Sequence, residues 1–221
     1  MKYIHLFLIS LLFSIVTGCY HPITTIFDSA RSLKQDETNV TLAGSVDLVS
    51  SPSANITAIV DKGLTSNIDL RFRFDKRFVK KTSLDLALDL GNFGSIDFGS
   101  IDLESPYYFV ELAPKFSKNN KFAFSIPLQA YFLESGFQIY SLDPRFIFSL
   151  KSKNNLSEFN LILRTQIGIL EGEFGGFIPG ACFGVRLGND LDKRGLRFEV
   201  GLIPYSITFG LGYQTRLGSK D

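Results

Sequence analysis

Few residues in this chain have side chains that could do covalent chemistry. His5 and His21 are the only histidines and Cys19 and Cys182 the only cysteines in 221 residues. A Ser–His nucleophile needs its base within hydrogen-bond reach of the hydroxyl. Only His21 would outlast removal of a leader, and it precedes the first patterned segment, which argues against such a mechanism. One histidine and one spare cysteine cannot furnish a metal site, so no metal is expected. Residues 91–99 and 172–180 contain glycines but lack the Lys-Ser/Thr of a phosphate loop, and read as loops. Asp85 and Asp89 could act as paired carboxylates, yet they sit on one charged strand face and are expected to pair with neighbouring arginines. Cys182, between Ala181 and Phe183, reads as a small packed thiol. No catalytic residue and no cofactor is expected, and the chain is not expected to be an enzyme.

Composition narrows the class further. There are 22 Phe and 8 Tyr but no Trp, and charged residues make up 20%, below the roughly one quarter usual in soluble domains. Lys2 is the only charge in the first 18 residues, so the remainder carries 22 basic and 22 acidic side chains. That balance argues against nucleic acid as a partner, since such binders show a basic excess or stripe.

The N-terminus reads as an address. A charged start, an apolar run over residues 3–16 and small residues at a cut site form a secretory signal. The run is short of the roughly 17–25 residues that a membrane helix needs, and His21-Pro22 follows it. Val16-Thr17-Gly18-Cys19 resembles the lipobox of bacterial lipoproteins. The resemblance implies cleavage before Cys19 and its acylation, palmitate included, and engagement of the lipoprotein-sorting machinery. Tyr20 is not the acidic residue that retains many lipoproteins at the inner membrane, which favours transfer outward. Residues 1–18 are then the signal peptide, 19–38 a lipidated tether, 39–217 the body and 218–221 a tail.

From residue 39 the pattern has period two. In residues 67–75, Ile68, Leu70, Phe72 and Phe74 alternate with Asp69, Arg71, Arg73 and Asp75. Residues 39–48, 83–90, 107–116, 122–132, 140–150, 158–169, 177–187, 196–202 and 207–217 follow the same rule with more noise. Alternation places the two sets on opposite faces of a strand, whereas a helix would mix them. Turn-forming residues separate the runs at 63–67, 118–121, 151–157 and 189–195. No helix-length apolar run follows the leader, so a body that spans a membrane does so as a closed barrel.

Three features favour a membrane barrel over a soluble one. The charged face is rich in Arg, Asp and Gly at matched depths; the apolar face is almost free of charge; and many runs reach the length that crosses a bilayer at the usual tilt. The expected fold is all-β, an antiparallel up-and-down transmembrane β-barrel. Assigning the four turn regions to the periplasmic side closes the scheme at about 12 strands if residues 96–103 also cross; ten strands is the alternative. Over residues 39–217 the body resembles small outer-membrane β-barrel proteins of bacteria. That resemblance implies the outer membrane of a Gram-negative-type bacterium, with membrane lipid and the outer-membrane insertion machinery as partners.

The inward constellation is expected to be Asp69, Arg71, Arg73, Asp75, Asp85, Asp89, Glu111, Lys115, Asp143, Arg145, Glu158, Arg164, Arg186, Arg197, Glu199 and Arg216. These charges either line a polar pore or pair to brace a closed lumen, and the near-equality of signs favours bracing. The expected function is a lipid-anchored barrel acting as a passive pore or in a structural or surface role. The alternative is a soluble periplasmic lipoprotein with an inverted, lipocalin-like barrel that binds a lipophilic ligand.

Overall fold

A computed structural model describes residues 25–47, 53–79, 83–89, 95–102, 106–133, 138–170, 173–204 and 206–218. The leader and Cys19 lie outside the described residues. The first strands are β1 (Thr38–Asp47), β2 (Ser53–Gly63) and β3 (Ile68–Val79), paired antiparallel in order. A short hairpin, β4 (Ser83–Asp89) and β5 (Ser95–Asp102), follows. Next come β6 (Pro106–Lys118), β7 (Phe122–Ser125), β8 (Leu128–Leu133), β9 (Gln138–Leu142) and β10 (Arg145–Lys151). The chain ends with β11 (Ser157–Leu170), β12 (Glu173–Asp190), β13 (Arg194–Ile203) and β14 (Ser206–Leu217).

The sheet closes on itself. β14 pairs with β1, with Thr38 opposite Leu217. On the far side, β7 and β8 both pair with β6, while β9 and β10 both pair with β11. β7–β8 and β9–β10 are therefore two crossings, each interrupted once, at Ile126-Pro127 and at Asp143-Pro144. Proline has no N–H to give to a ladder, which breaks the strand locally. The neighbours bridge the gaps: Asp143 N donates to Pro127 O (3.1 Å) and Thr165 N to Pro144 O (3.1 Å). Counting each interrupted pair once gives a ring of ten crossings.

The ring thus has the ten crossings of the alternative rather than twelve, and the difference lies in β4 and β5. They form a separate two-stranded sheet, with an irregularity between Asp85 and Ala87, while β3 pairs directly with β6 over Ile68 to Lys76. These arms have only 7 and 8 residues, against 10 to 18 in the uninterrupted crossings. Alternation in residues 83–90 marks a strand but does not tell a crossing from a hairpin arm. β2, in turn, carries no clear period-two signal: its inward face includes Ile59 among Ser53, Asn55, Thr57 and Asp61, which blurs the pattern.

Both ends of the ring's seam, Thr38 and Leu217, lie at the end of the barrel that carries the turns after β2, β6, β10 and β12. The turn after β6 uses Asn119 (φ 57°) and Asn120 (φ 53°), the two left-handed positions of a type I′ hairpin.

Burial fixes which face is inside. Leu42 is 62% exposed and Leu150 67%, whereas Arg73 and Arg145 are 1% exposed. Among the described residues, Phe72, Phe74, Phe116, Phe146, Phe159, Leu163, Phe183, Phe198 and Phe209 all stand outward. In water such a belt would far exceed the few hundred Å² of apolar patch that monomers tolerate. A lipocalin-like barrel would bury these side chains around a cavity; here they face out, so the inverted arrangement does not hold.

The barrel lumen as candidate functional site

Among the inward residues named from sequence, Asp69, Arg71, Arg73, Asp75, Glu111, Lys115, Asp143, Arg145, Glu158, Arg164, Arg186, Arg197 and Glu199 are buried inside the ring. Arg216 is near the turn end, 3.2 Å from Glu37. Asp85 and Asp89 lie on β4, outside the ring, and so do not belong to the lumen wall; their side chains are outside the described residues.

Part of the wall braces itself. Arg145 pairs with Glu111 and, at 2.6 Å, with Asp143, which also pairs with Arg164 at 2.7 Å. Gln129 donates to Glu111 (2.9 Å) and Asp143 (3.0 Å) and accepts from Ser141 (2.8 Å) and Gln166 (2.9 Å). Tyr131 and Gln166 complete this cluster, 2.5 Å apart. It spans β6, β8, β9–β10 and β11. Opposite charges on adjacent strands, each hydrogen-bonded, are the condition for keeping ions in a buried interior.

The rest of the wall holds a segment expected outside the barrel. Residues 25–37, expected as part of a tether, run inside the barrel. From Glu37 at the turn end the chain enters the lumen and reaches Thr25 beside Arg73 and Gly210, near mid-height. At the mouth, Gly63 N donates to Glu37 O (3.0 Å) and Asp36 N to Gly63 O (3.2 Å). Also at the mouth, Ser32 Oγ donates to Ser66 O (2.7 Å) and Leu33 N to Asp69 (3.1 Å); deeper, Ala30 N donates to Ser149 Oγ (2.8 Å).

This segment is not helix or strand, so its backbone groups must find partners elsewhere. The wall's ions supply them. Lys115 Nζ donates to Ser29 O (3.1 Å) and Arg31 O (3.0 Å). Arg71 donates to Ile26 O (3.0 Å) and Phe27 O (3.2 Å), Arg73 to Thr25 O (2.5 Å), and Arg197 to Phe27 O. Glu199 accepts from the amides of Ile26 and Phe27, the latter at 2.7 Å. Asp28 is 3.1 Å from Arg71 and 3.4 Å from Lys115. Hydrogen bonds with an ionised partner are each worth about 1.5–3 kcal/mol, so the segment is held by several of the stronger kind.

Two packing features complete the seat. Ala123, Ile147, Ile162 and Cys182 are directly opposite one another across β7, β10, β11 and β12, an apolar strip in an otherwise polar lumen. Ile26 and Ala30 pack into it. Phe27, at φ 52°, lies over Gly210, where an added Cβ would stand 2.5 Å from the ring's Cζ. Glycine at 210 is thus what leaves room for the aromatic ring. Phe27 holds a backbone conformation that bulky residues rarely adopt, fixed by Arg71 and Arg197 on its carbonyl.

The class this geometry defines is a closed antiparallel barrel, apolar outside and ionic inside, with its own N-terminal segment in the lumen. No protein-family model matches the chain, and no curated protein matches it. Among solved structures, it is similar to an outer-membrane channel from Pseudomonas putida F1, with 10% identity, a TM-score of 0.46, and coverage of 88% of this chain and 100% of that one. The KdgM porin shares 8% identity at a TM-score of 0.41, over 81% of this chain and 98% of its own. A de novo designed transmembrane β-barrel shares 8% at 0.38, over 85% and 100%.

Proposed function

We propose that this protein is an outer-membrane β-barrel, exported as a lipoprotein and acylated at Cys19, whose resting state is closed by its own residues 25–37. The observation that carries the reading is the inverted burial: phenylalanines and leucines outside, arginines and carboxylates inside. A surface of that kind is stable against acyl chains, where a spanning sheet must close to leave no unpaired edge. The lumen is occupied by a segment bound through ion-assisted hydrogen bonds, which favours a plugged barrel over a permanently open pore. Its charges act on the protein's own backbone rather than on a substrate, which favours a channel or structural role over an enzyme. The insertion and lipoprotein-sorting machineries are the partners that this route requires.

The test uses membrane fractions of wild type and Cys19→Ala, run with and without boiling. Both proteins are expected in the membrane fraction as compact, heat-modifiable species, with palmitate label on wild type alone. A Cys19→Ala chain recovered folded in the soluble fraction would refute the spanning barrel. Unlabelled wild type would refute the anchor.

A further inference from the structure

Near the turn end, between the inner segment and β12–β14, lies a cavity of about 20 Å³. A cavity needs roughly 10–15 Å³ to hold one water, so this one has space for one or two atoms of that size. Its lining is unbalanced: Arg31, Arg71, Lys115, Arg186, Arg197 and Arg216 against the carboxylates of Asp28 and Asp61. Arg71 is matched by Asp28 and Asp61, and Lys115 by Asp28 and Asp69. Arg216 has Glu37 at 3.2 Å and Arg31 has Asp192.

Arg186 and Arg197 differ from the others: Arg197 donates to Phe27 O, and Arg186 has Glu158 directly opposite on β11 with no hydrogen bond between them. The two arginines are directly opposite each other on β12 and β13, an arrangement of like charges that is destabilising by itself. They are 2% and 4% exposed, and Arg186 Nε and Arg197 Nη2 have no hydrogen-bond partner. A buried guanidinium donor left unmatched is costly. Both side chains line the same cavity.

We infer that this cavity is a binding site for a small inorganic anion of halide size, held between Arg186 and Arg197. The two facing arginines set the sign of the ligand, the two idle donors set its position, and the small volume favours a single atom over a polyatomic oxyanion. An anion there offsets the repulsion between the two arginines and stiffens the wall where the inner segment enters.

The full-length protein in detergent, with chloride replaced by gluconate at constant ionic strength, provides the test. Chloride is expected to raise the temperature at which the compact species is lost, in a saturable manner. Arg186→Gln and Arg197→Gln should each weaken the apparent chloride affinity about ten-fold or more, the scale of one charge-assisted hydrogen bond. Lys76→Gln, on β3 over the ring of the outward Phe78, should leave it unchanged. Crystals grown in bromide should give an anomalous peak between the two guanidinium groups. Equal midpoints in the two salts, or a bromide peak only on the outer surface, would overturn the site. The boiled and unboiled mobilities report independently whether the barrel itself is folded.

Discussion

Deleting residues 25–33 is expected to convert a silent barrel into a conducting one. In planar bilayers the wild-type protein should show no steady current, and the deletion variant an ohmic one. None of the deleted residues belongs to a strand, so the ring of ten crossings keeps every ladder. The groups released are Glu199, Arg71, Arg73, Arg197 and Lys115, all of which water can solvate once the lumen fills. Barrels of more than about eight strands have interiors that wall side chains no longer fill easily, so removing the segment leaves an aqueous path beside the cluster around Arg145. Gly210→Leu is the milder version of the experiment. Its side chain would occupy the space of Phe27, whose Cζ lies 2.5 Å from a Cβ at that position. Intermittent openings are expected from it. A deletion variant that is heat-modifiable yet silent would show that the wall closes the lumen without help. A wild type that conducts as well as the variant would show that the segment does not block.

The second large effect is expected on the outside. Phe198 is at the middle of β13, 47% exposed, between the outward Val185 and Leu211 of the flanking strands. Arginine there would meet hydrocarbon at a cost of roughly 2–4 kcal/mol, falling toward zero near the interfaces. Phe198→Arg should therefore reduce the folded, membrane-inserted population about thirty-fold or more. Leu64→Arg replaces a side chain of equal exposure, 47%, in the turn after β2. That variant should assemble like wild type. If both assembled equally, the outer belt would not be facing lipid.

Much of the wall could be read directly from the chain. In β3 and β13, strict alternation of Phe, Leu or Val with Arg, Asp or Glu specifies both the strand and its facing, and the burial of Arg71, Arg73, Arg197 and Glu199 follows that phase. The four turn regions also fall at one end, because consecutive antiparallel crossings must alternate. Ring size was harder. Period two is a property of any half-buried strand, so Leu84, Leu86 and Leu88 in β4 look the same as the residues of a crossing, whereas the runs 122–132 and 140–150 each mark one real crossing in spite of Pro127 and Pro144.

The inner segment was legible least of all. Its partners are remote, with Phe27 bound to Glu199 172 positions away, and an irregular backbone leaves no periodic trace. What could have pointed to it is on the wall: Ile59, Ala123, Ile147, Ile162 and Cys182 interrupt the polar face, and Gly210 and Gly212 empty it. Residues that leave space or apolar surface inside a charged lumen require something to cover them. Asp47, Asp61 and Arg77 were likewise missed as buried ions, the first and last because each stands at the end of its run.

The orientation of β13 tests the account most directly. Single spin labels at positions 196–202, placed in a Cys19→Ala, Cys182→Ala background in lipid vesicles, would report collisions with oxygen, which concentrates in lipid, and with a water-soluble nickel chelate. Oxygen access should peak at 196, 198, 200 and 202, with minima at 197, 199 and 201 and little nickel access at 198 and 200. Strong nickel access at 198 and 200, or the opposite phase, would contradict a barrel that turns its apolar face to lipid.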